Sequence, residues 1–215
     1  MKPKFIIFEG SEGCGKSTQI ALLADWLRRH GQRVVSLREP GGTPLGEAVR
    51  ALLKHDPAGA GMAAESELLL FTASRAELVR KIIAPSLAAG CWVICDRFHD
   101  STTVYQSVAR GLDFATVSVV NNFALGGVVP TLTLFLDLPA AEARARMLRR
   151  PRPVGQGDRM ESEPPEFYEK VLNGYRALAD REPRRVKKIA ADGDKNTVFE
   201  KILTEVKNAF PGQLD

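Results

Sequence analysis

The chain has 215 residues, 44% of them hydrophobic, enough to bury a full core as one domain. No stretch approaches the ~20 apolar residues of a membrane-crossing helix, and three cysteines, an odd number, build no disulfide framework. The net charge of +4 is modest, so the placement of the charges says more than their sum.

The first apolar run, Phe5-Ile6-Ile7-Phe8, predicts a strand over about 4–9. Glu9 closes it, and at four residues it does not read as a secretory signal. The next stretch is GSEGCGKST, of the form G-x-x-x-x-G-K-[ST], and it opens an amphipathic segment that predicts a helix over about 16–30. Glycines permit positive φ, so successive N–H groups can converge on one anion, and the helix N-terminus adds its positive dipole end. Gly10, Ser11, Glu12, Gly13, Cys14, Gly15, Lys16, Ser17 and Thr18 are therefore expected to hold ATP. Lys16 should reach the β- and γ-phosphates from a solvent-facing loop, the Ser17 hydroxyl should be a Mg²⁺ ligand, and Cys14 fills a variable position.

A strand over about 33–38 follows, then Thr43-Pro44 as cap and first residue of a helix over about 44–54. The next helix, about 66–89, carries Phe71 and Arg75 four residues apart on one face, with Pro85 expected to kink or divide it. A ring beside a guanidinium can stack on a base and donate to its carbonyl; a core Phe beside a surface Arg is the competing reading. Cys91-Trp92-Val93-Ile94-Cys95-Asp96 predicts a strand over 91–96, with both cysteines as core thiols on one face. Asp96 at its end can orient Mg²⁺ or its waters, or serve as a cap, and Arg97 beside it suits a phosphate. No Asp-x-x-Gly switch or Asn-Lys-x-Asp follows, which argues against a GTPase.

Beyond come a helix over about 113–125 stopped by Gly126-Gly127, a strand over 131–137 and a helix over 139–149. Six arginines fall between Arg144 and Arg159, and Gly155-Gln156-Gly157 among them marks a mobile lid at about 149–160. A helix over about 165–180, a strand over 185–190 and a helix over 196–209 complete the chain. His30, His55 and His99 share no metal-ligand spacing. Apolar runs alternating with helical patterns predict an α/β protein with the three-layer fold of P-loop NTPases. A central five-stranded parallel sheet, flanked by helices and with the lid, forms a single domain over 1–215.

The chain resembles the thymidylate (dTMP) kinases. The resemblance rests on the phosphate loop, Arg38-Glu39-Pro40-Gly41-Gly42-Thr43, Phe71 to Arg75, Asp96-Arg97-Phe98, Ser101-Thr102-x-x-Tyr105-Gln106, Arg110-Gly111 and Asp158-Arg159-x-Glu161. It implies a cytoplasmic homodimer that phosphorylates dTMP to dTDP with ATP and Mg²⁺, on the way to dTTP, with no nucleic-acid or membrane partner. By position, Phe71 would stack on thymine, Arg75 would bond the base, and Arg97, with Arg38 and Arg110, would hold the acceptor phosphate. Ser101 and Thr102 would line the base and sugar side, Tyr105 would block a 2′-hydroxyl, and Glu12 would sit near the 3′-hydroxyl and metal. Ser107-Val108-Ala109 and Thr131 depart from the family's usual glycine and Asp. Gly13 stands where some members carry an arginine, so Arg149 or Arg152 is expected to supply transition-state charge beside Lys16 and Arg97. Another nucleoside monophosphate or deoxynucleoside kinase, or a nucleic-acid-stimulated P-loop ATPase, stays open as an alternative.

Overall fold

The computed structural model describes residues 3–149 and 159–214. Arg152 and Gly155-Gln156-Gly157, and with them most of the expected lid, lie outside the described residues. Five parallel strands form one sheet in the order β2-β3-β1-β4-β5: β1 Phe5–Glu9, β2 Val34–Arg38, β3 Trp92–Asp96, β4 Leu132–Asp137 and β5 Val186–Ala190. The expected sheet is thus observed, each strand within a residue of its predicted start.

The central strands read as continuous apolar runs because both their faces are covered. On β1, Ile6 and Phe8 join one core cluster while Phe5 and Ile7 join another, and on β3 Trp92 and Ile94 alternate in the same way with Val93 and Cys95. The first cluster is covered by α1 (Lys16–Arg29) and α9 (Lys195–Ala209), through Ile20, Leu23 and Leu27 and through Val198, Ile202 and Val206. The opposite face packs against α3 (Ala64–Leu78) and its continuation, and against α8 (Pro165–Arg181) through Val171, Tyr175 and Leu178. Cys95 and Cys14 are core thiols, whereas Cys91 precedes β3 and is only half-buried. The expectation that Cys91 and Cys95 share a buried face is therefore corrected.

Helix α2 spans Pro44–Lys54, capped by Thr43, whose hydroxyl accepts from the Gly46 N–H at 3.0 Å. The long helix expected over 66–89 is divided: a π-helical turn, Val79–Ile83, separates α3 from α4 (Ala84–Ala88). Pro85 lacks an N–H and crowds the preceding turn, which gives the wide turn a local cause. Residues His99–Thr102 form α5, continued by a π-helical stretch Thr103–Ala109, ahead of α6 (Phe114–Leu125) and α7 (Ala140–Leu148). The helical run over 99–109 was not anticipated. Its threonines and valines have weak helix propensity, and tertiary packing overrides that.

In-register pairing brings Phe8 and Arg38 level with Asp96, and Glu9 level with Phe135. The polar strand ends Glu9, Arg38 and Asp96 thus gather at the carboxyl edge of the sheet, where open α/β sheets bind ligands.

Candidate active site

The loop between β1 and α1 turns through positive φ at Gly13 (82°) and Gly15 (100°), and α1 starts at Lys16. A Cβ on Gly13 would lie 2.2 Å from the Ala143 carbonyl oxygen of α7, so the loop tolerates no side chain there. Lys16 is 8% exposed, contrary to the solvent-facing position expected for it. Its ammonium curls back to donate to the Gly10 and Ser11 carbonyl oxygens at 3.1 and 2.9 Å. Ser17 Oγ donates to Asp96 Oδ2 at 3.5 Å, so the two expected metal-side oxygens do face one another.

A cavity of about 320 Å³ runs from this loop to Phe71, half-buried on α3. It is lined by Glu12, Lys16, Ser17, Arg38, Asp96, Arg97, Ser101, Thr102 and Tyr105 among the expected residues. Glu39, Arg50, Lys54, Gln106, Met160 and Tyr168 also line it and were given no role from the sequence. Lys54 reaches across from α2 to within 3.7 Å of Glu12.

Arg97 has φ 70°, a left-handed conformation that is costly for a residue with a Cβ. Its N–H donates to the Phe8 carbonyl at 2.9 Å, and its guanidinium lies 5.2 Å from the Tyr105 ring centroid. Beneath it Glu9, fully buried, is a hub the sequence reading missed, having noted it only as the end of an apolar run. Glu9 Oε1 accepts from the Phe98 and Ser101 N–H groups at 2.9 and 3.1 Å, and Oε2 from the Ser101 and Tyr175 hydroxyls at 2.7 and 2.6 Å. Burial raises its pKa, with Arg97 opposing.

Arg75 is 1% exposed and does not line the cavity. Its donors go to Glu39 Oε2 (2.9 and 2.7 Å), Thr102 Oγ1 (3.0 Å), Asn121 Oδ1 (2.7 Å) and the Phe98 carbonyl (3.2 Å). These are all five N–H donors a guanidinium has, so the surface arginine of the competing reading is excluded, and this arrangement leaves none to reach a base directly. Glu39 is pushed up to about 7 by burial, which outweighs Arg75. Arg38 forms a two-pronged pair with Glu47 at 2.9 and 2.8 Å, on an exposed part of the rim. Arg110 stands back from the cavity, paired with Glu67 (3.1 Å) and Glu163 (2.5 Å). Arg149 is exposed at the end of α7.

A glycine loop at the carboxyl edge of a parallel sheet shares one cavity with an aromatic wall, and cations and buried carboxylates meet between them. That arrangement defines a nucleotide-binding phosphotransferase of the P-loop kind. The profile of the family described as thymidylate kinase matches residues 8–202. A thymidylate kinase from Synechococcus sp. (strain JA-3-3Ab) is 48% identical over 205 residues, covering 94% of this chain and 95% of that one. One from Gloeobacter violaceus is 43% identical over 203 residues, covering 94% and 93%. The crystal structure of the thymidylate kinase from Ehrlichia chaffeensis superposes with a TM-score of 0.76 at 34% identity, covering 94% of this chain and 97% of that one. The chain belongs to the thymidylate kinase family.

Proposed function

We propose that the protein transfers the γ-phosphoryl group of ATP to dTMP, giving dTDP and ADP. The observation that carries this reading is the single cavity joining the phosphate loop to Phe71, Thr102 and Tyr105 in a chain of this family. Neither another nucleotide kinase nor a nucleic-acid-stimulated ATPase is favoured by relatives of this similarity. ADP release measured with each nucleoside monophosphate in turn tests it: dTMP should be the preferred acceptor, and indifference to dTMP overturns the reading.

Phosphoryl transfer needs alignment and charge neutralisation more than covalent chemistry, so no protein nucleophile is required and the acceptor phosphate oxygen attacks in line. In this reading Gly10 to Thr18 cradle ATP, with Lys16 turning from its loop carbonyls to the β- and γ-phosphates. Arg97, fixed by its backbone and by Tyr105, holds the acceptor phosphate, with Arg38 at the rim and Arg110 behind the wall. Ser101, Thr102 and Glu12 line the cavity and would face the base and sugar, and the Tyr105 ring beside them would exclude a 2′-hydroxyl. Arg75 serves the base side from behind, through Thr102. Arg149 and Arg152 are the proposed further source of transition-state charge, Arg149 standing at the exposed end of α7.

Ser17 and Asp96 would hold Mg²⁺. Two facing oxygen donors with only one carboxylate fit a cation that takes most of its ligands from phosphate and water. When bound, the ion neutralises charge on the β- and γ-phosphates.

Phe71→Ala should weaken dTMP binding by roughly 5- to 150-fold, the range of base–aromatic stacking, with ATP affinity unchanged. Calorimetric titration with each nucleotide checks this. A variant that only melts earlier would make Phe71 a packing residue.

The reading includes a homodimer. Val119 and Phe123 on α6 are 69% and 84% exposed, and Leu69 on the adjoining α3 is 57% exposed, an apolar patch of the kind that partners cover. Sedimentation velocity should give twice the chain mass for the unaltered protein and a monomer for Phe123→Asp. A monomeric unaltered protein would sink the proposal. Among the described residues no helix is long and apolar enough to cross a membrane, and the described cysteines are unpaired; a cytoplasmic setting is proposed on that basis.

A further inference from the structure

Arg97 is held by its side chain as well as by its backbone, and the hold begins at a buried carboxylate. Glu9 ends β1 in register with Phe135 of β4, and the Tyr175 ring of α8 stacks on Phe135 with centroids 5.1 Å apart. This brings the Tyr175 hydroxyl to Glu9 Oε2 at 2.6 Å, beside the Ser101 hydroxyl of α5 at 2.7 Å. The two hydroxyl oxygens are 2.9 Å from one another. Oε1 accepts from the Phe98 and Ser101 N–H groups, the first of them next in the chain to the strained Arg97 backbone. Burial works against a charge on Glu9, while these four donors and the Arg97 guanidinium, 3.9 Å from Oε2, work for it. Only the ionised form accepts from all four, so the arrangement is that of a carboxylate.

The polarity of the cluster follows from counting hydrogens. A hydroxyl carries one hydrogen and two lone pairs. Tyr175 and Ser101 each give that hydrogen to Glu9, so toward Arg97 both oxygens can only accept. Arg97 Nη1 carries two hydrogens and lies 3.3 Å from Ser101 Oγ and 3.4 Å from Tyr175 Oη. Among the described residues no other hydrogen bond uses this guanidinium, and its face is held by the Tyr105 ring. The edge formed by Nε and Nη2 is left for the cavity, and its two parallel donors match two oxygens of a phosphate.

We propose that Glu9 and Tyr175 are positioning residues for the acceptor phosphate: they set the hydroxyl polarity that tethers Arg97 by Nη1 and so aim its other edge into the cavity. Both are fully buried and neither lines the cavity, so they act through Arg97 and do not touch the phosphate. This rests on the dTMP-kinase reading above, in which Arg97 holds that phosphate.

The test is calorimetric titration of the full chain with dTMP and with thymidine, which has the same base and sugar and no phosphate. The ratio of the two Kd values measures what the phosphate adds. In Glu9→Gln the amide keeps the shape, but its oxygen serves the backbone N–H groups and its NH₂ donates to the two hydroxyls. Their hydrogens then turn toward Nη1, donor meets donor, and the tether is lost. The ratio should fall at least about 10-fold, the worth of one charge-assisted hydrogen bond, while the thymidine Kd holds. Tyr175→Phe keeps the stacked ring and leaves Ser101 as the remaining tether, so the ratio should fall by about 3-fold. In Arg97→Leu the ratio should collapse, and adding Glu9→Gln should lower it no further. An unchanged ratio in folded Glu9→Gln overturns the proposal, as does equal weakening of both ligands, or a further fall of the ratio in the Arg97→Leu background. Should Glu9→Gln fail to fold, Tyr175→Phe decides alone. An unaltered protein that binds dTMP no tighter than thymidine would instead sink the functional reading itself.

Discussion

Replacing Lys16 by alanine is expected to lower kcat by roughly 10²–10³ or more, the loss typical of removing one preorganised charge from developing negative charge. The side chain is buried and tethered to the loop carbonyls, so the change also frees two acceptors at the mouth of a cavity. Water can satisfy those, and none of the three core clusters includes Lys16, so the fold should survive. The measurement is ADP production at saturating ATP and dTMP, beside a thermal melt. A correctly folded variant with near-normal kcat would remove Lys16 from the chemistry.

The largest expected loss of stability comes from Arg75→Leu. Removing one partner of a buried ion pair costs about 3–5 kcal/mol, or roughly 6–20 °C in Tm for a chain of this size, because the other charge is left uncompensated. Here that partner is Glu39, 5% exposed, with its Oε1 already lacking a hydrogen-bond partner. The loss should depend on pH with a definite sign. Burial raises Glu39 from 4.5 to about 7, so its stabilising contribution is complete below pH 4.5 and disappears as pH rises through about 7. Without Arg75 the main force opposing burial is gone, and the folded-state pKa climbs further. The deficit of the variant should therefore be larger at pH 8 than at pH 5, and Glu39→Gln in the same background should restore part of it. Equal deficits at both pH values would mean that Arg75 stabilises by packing alone.

What could be read from the sequence is what neighbours in sequence determine. The phosphate loop needs nine consecutive residues and the strand before it, and β1, β3 and β4 announce themselves because burial on both faces demands unbroken apolar runs. Asp96 and Arg97 were legible as a strand end. The residues that escaped act across the fold. Glu9 meets Tyr175 over a separation of 166 residues, and Glu67 meets Arg159 over 92. Neither carboxylate differs locally from a capping or solvated acid, and only the sheet order and the packing of α3 reveal otherwise. Glu39 lay inside a motif that was recognised, yet no local rule says that it faces inward to Arg75.

The contact between Gly13 and Ala143 makes the phosphate loop and α7 competitors for the same few cubic ångströms. An arginine in the loop would need α7 farther off than it stands in this chain. Steric exclusion between two backbones, rather than the chemistry of either, thus bars a side chain from this position. Grafting an arginine onto position 13 would wedge α7, and the far end of that helix, where Arg149 stands, would be displaced with it.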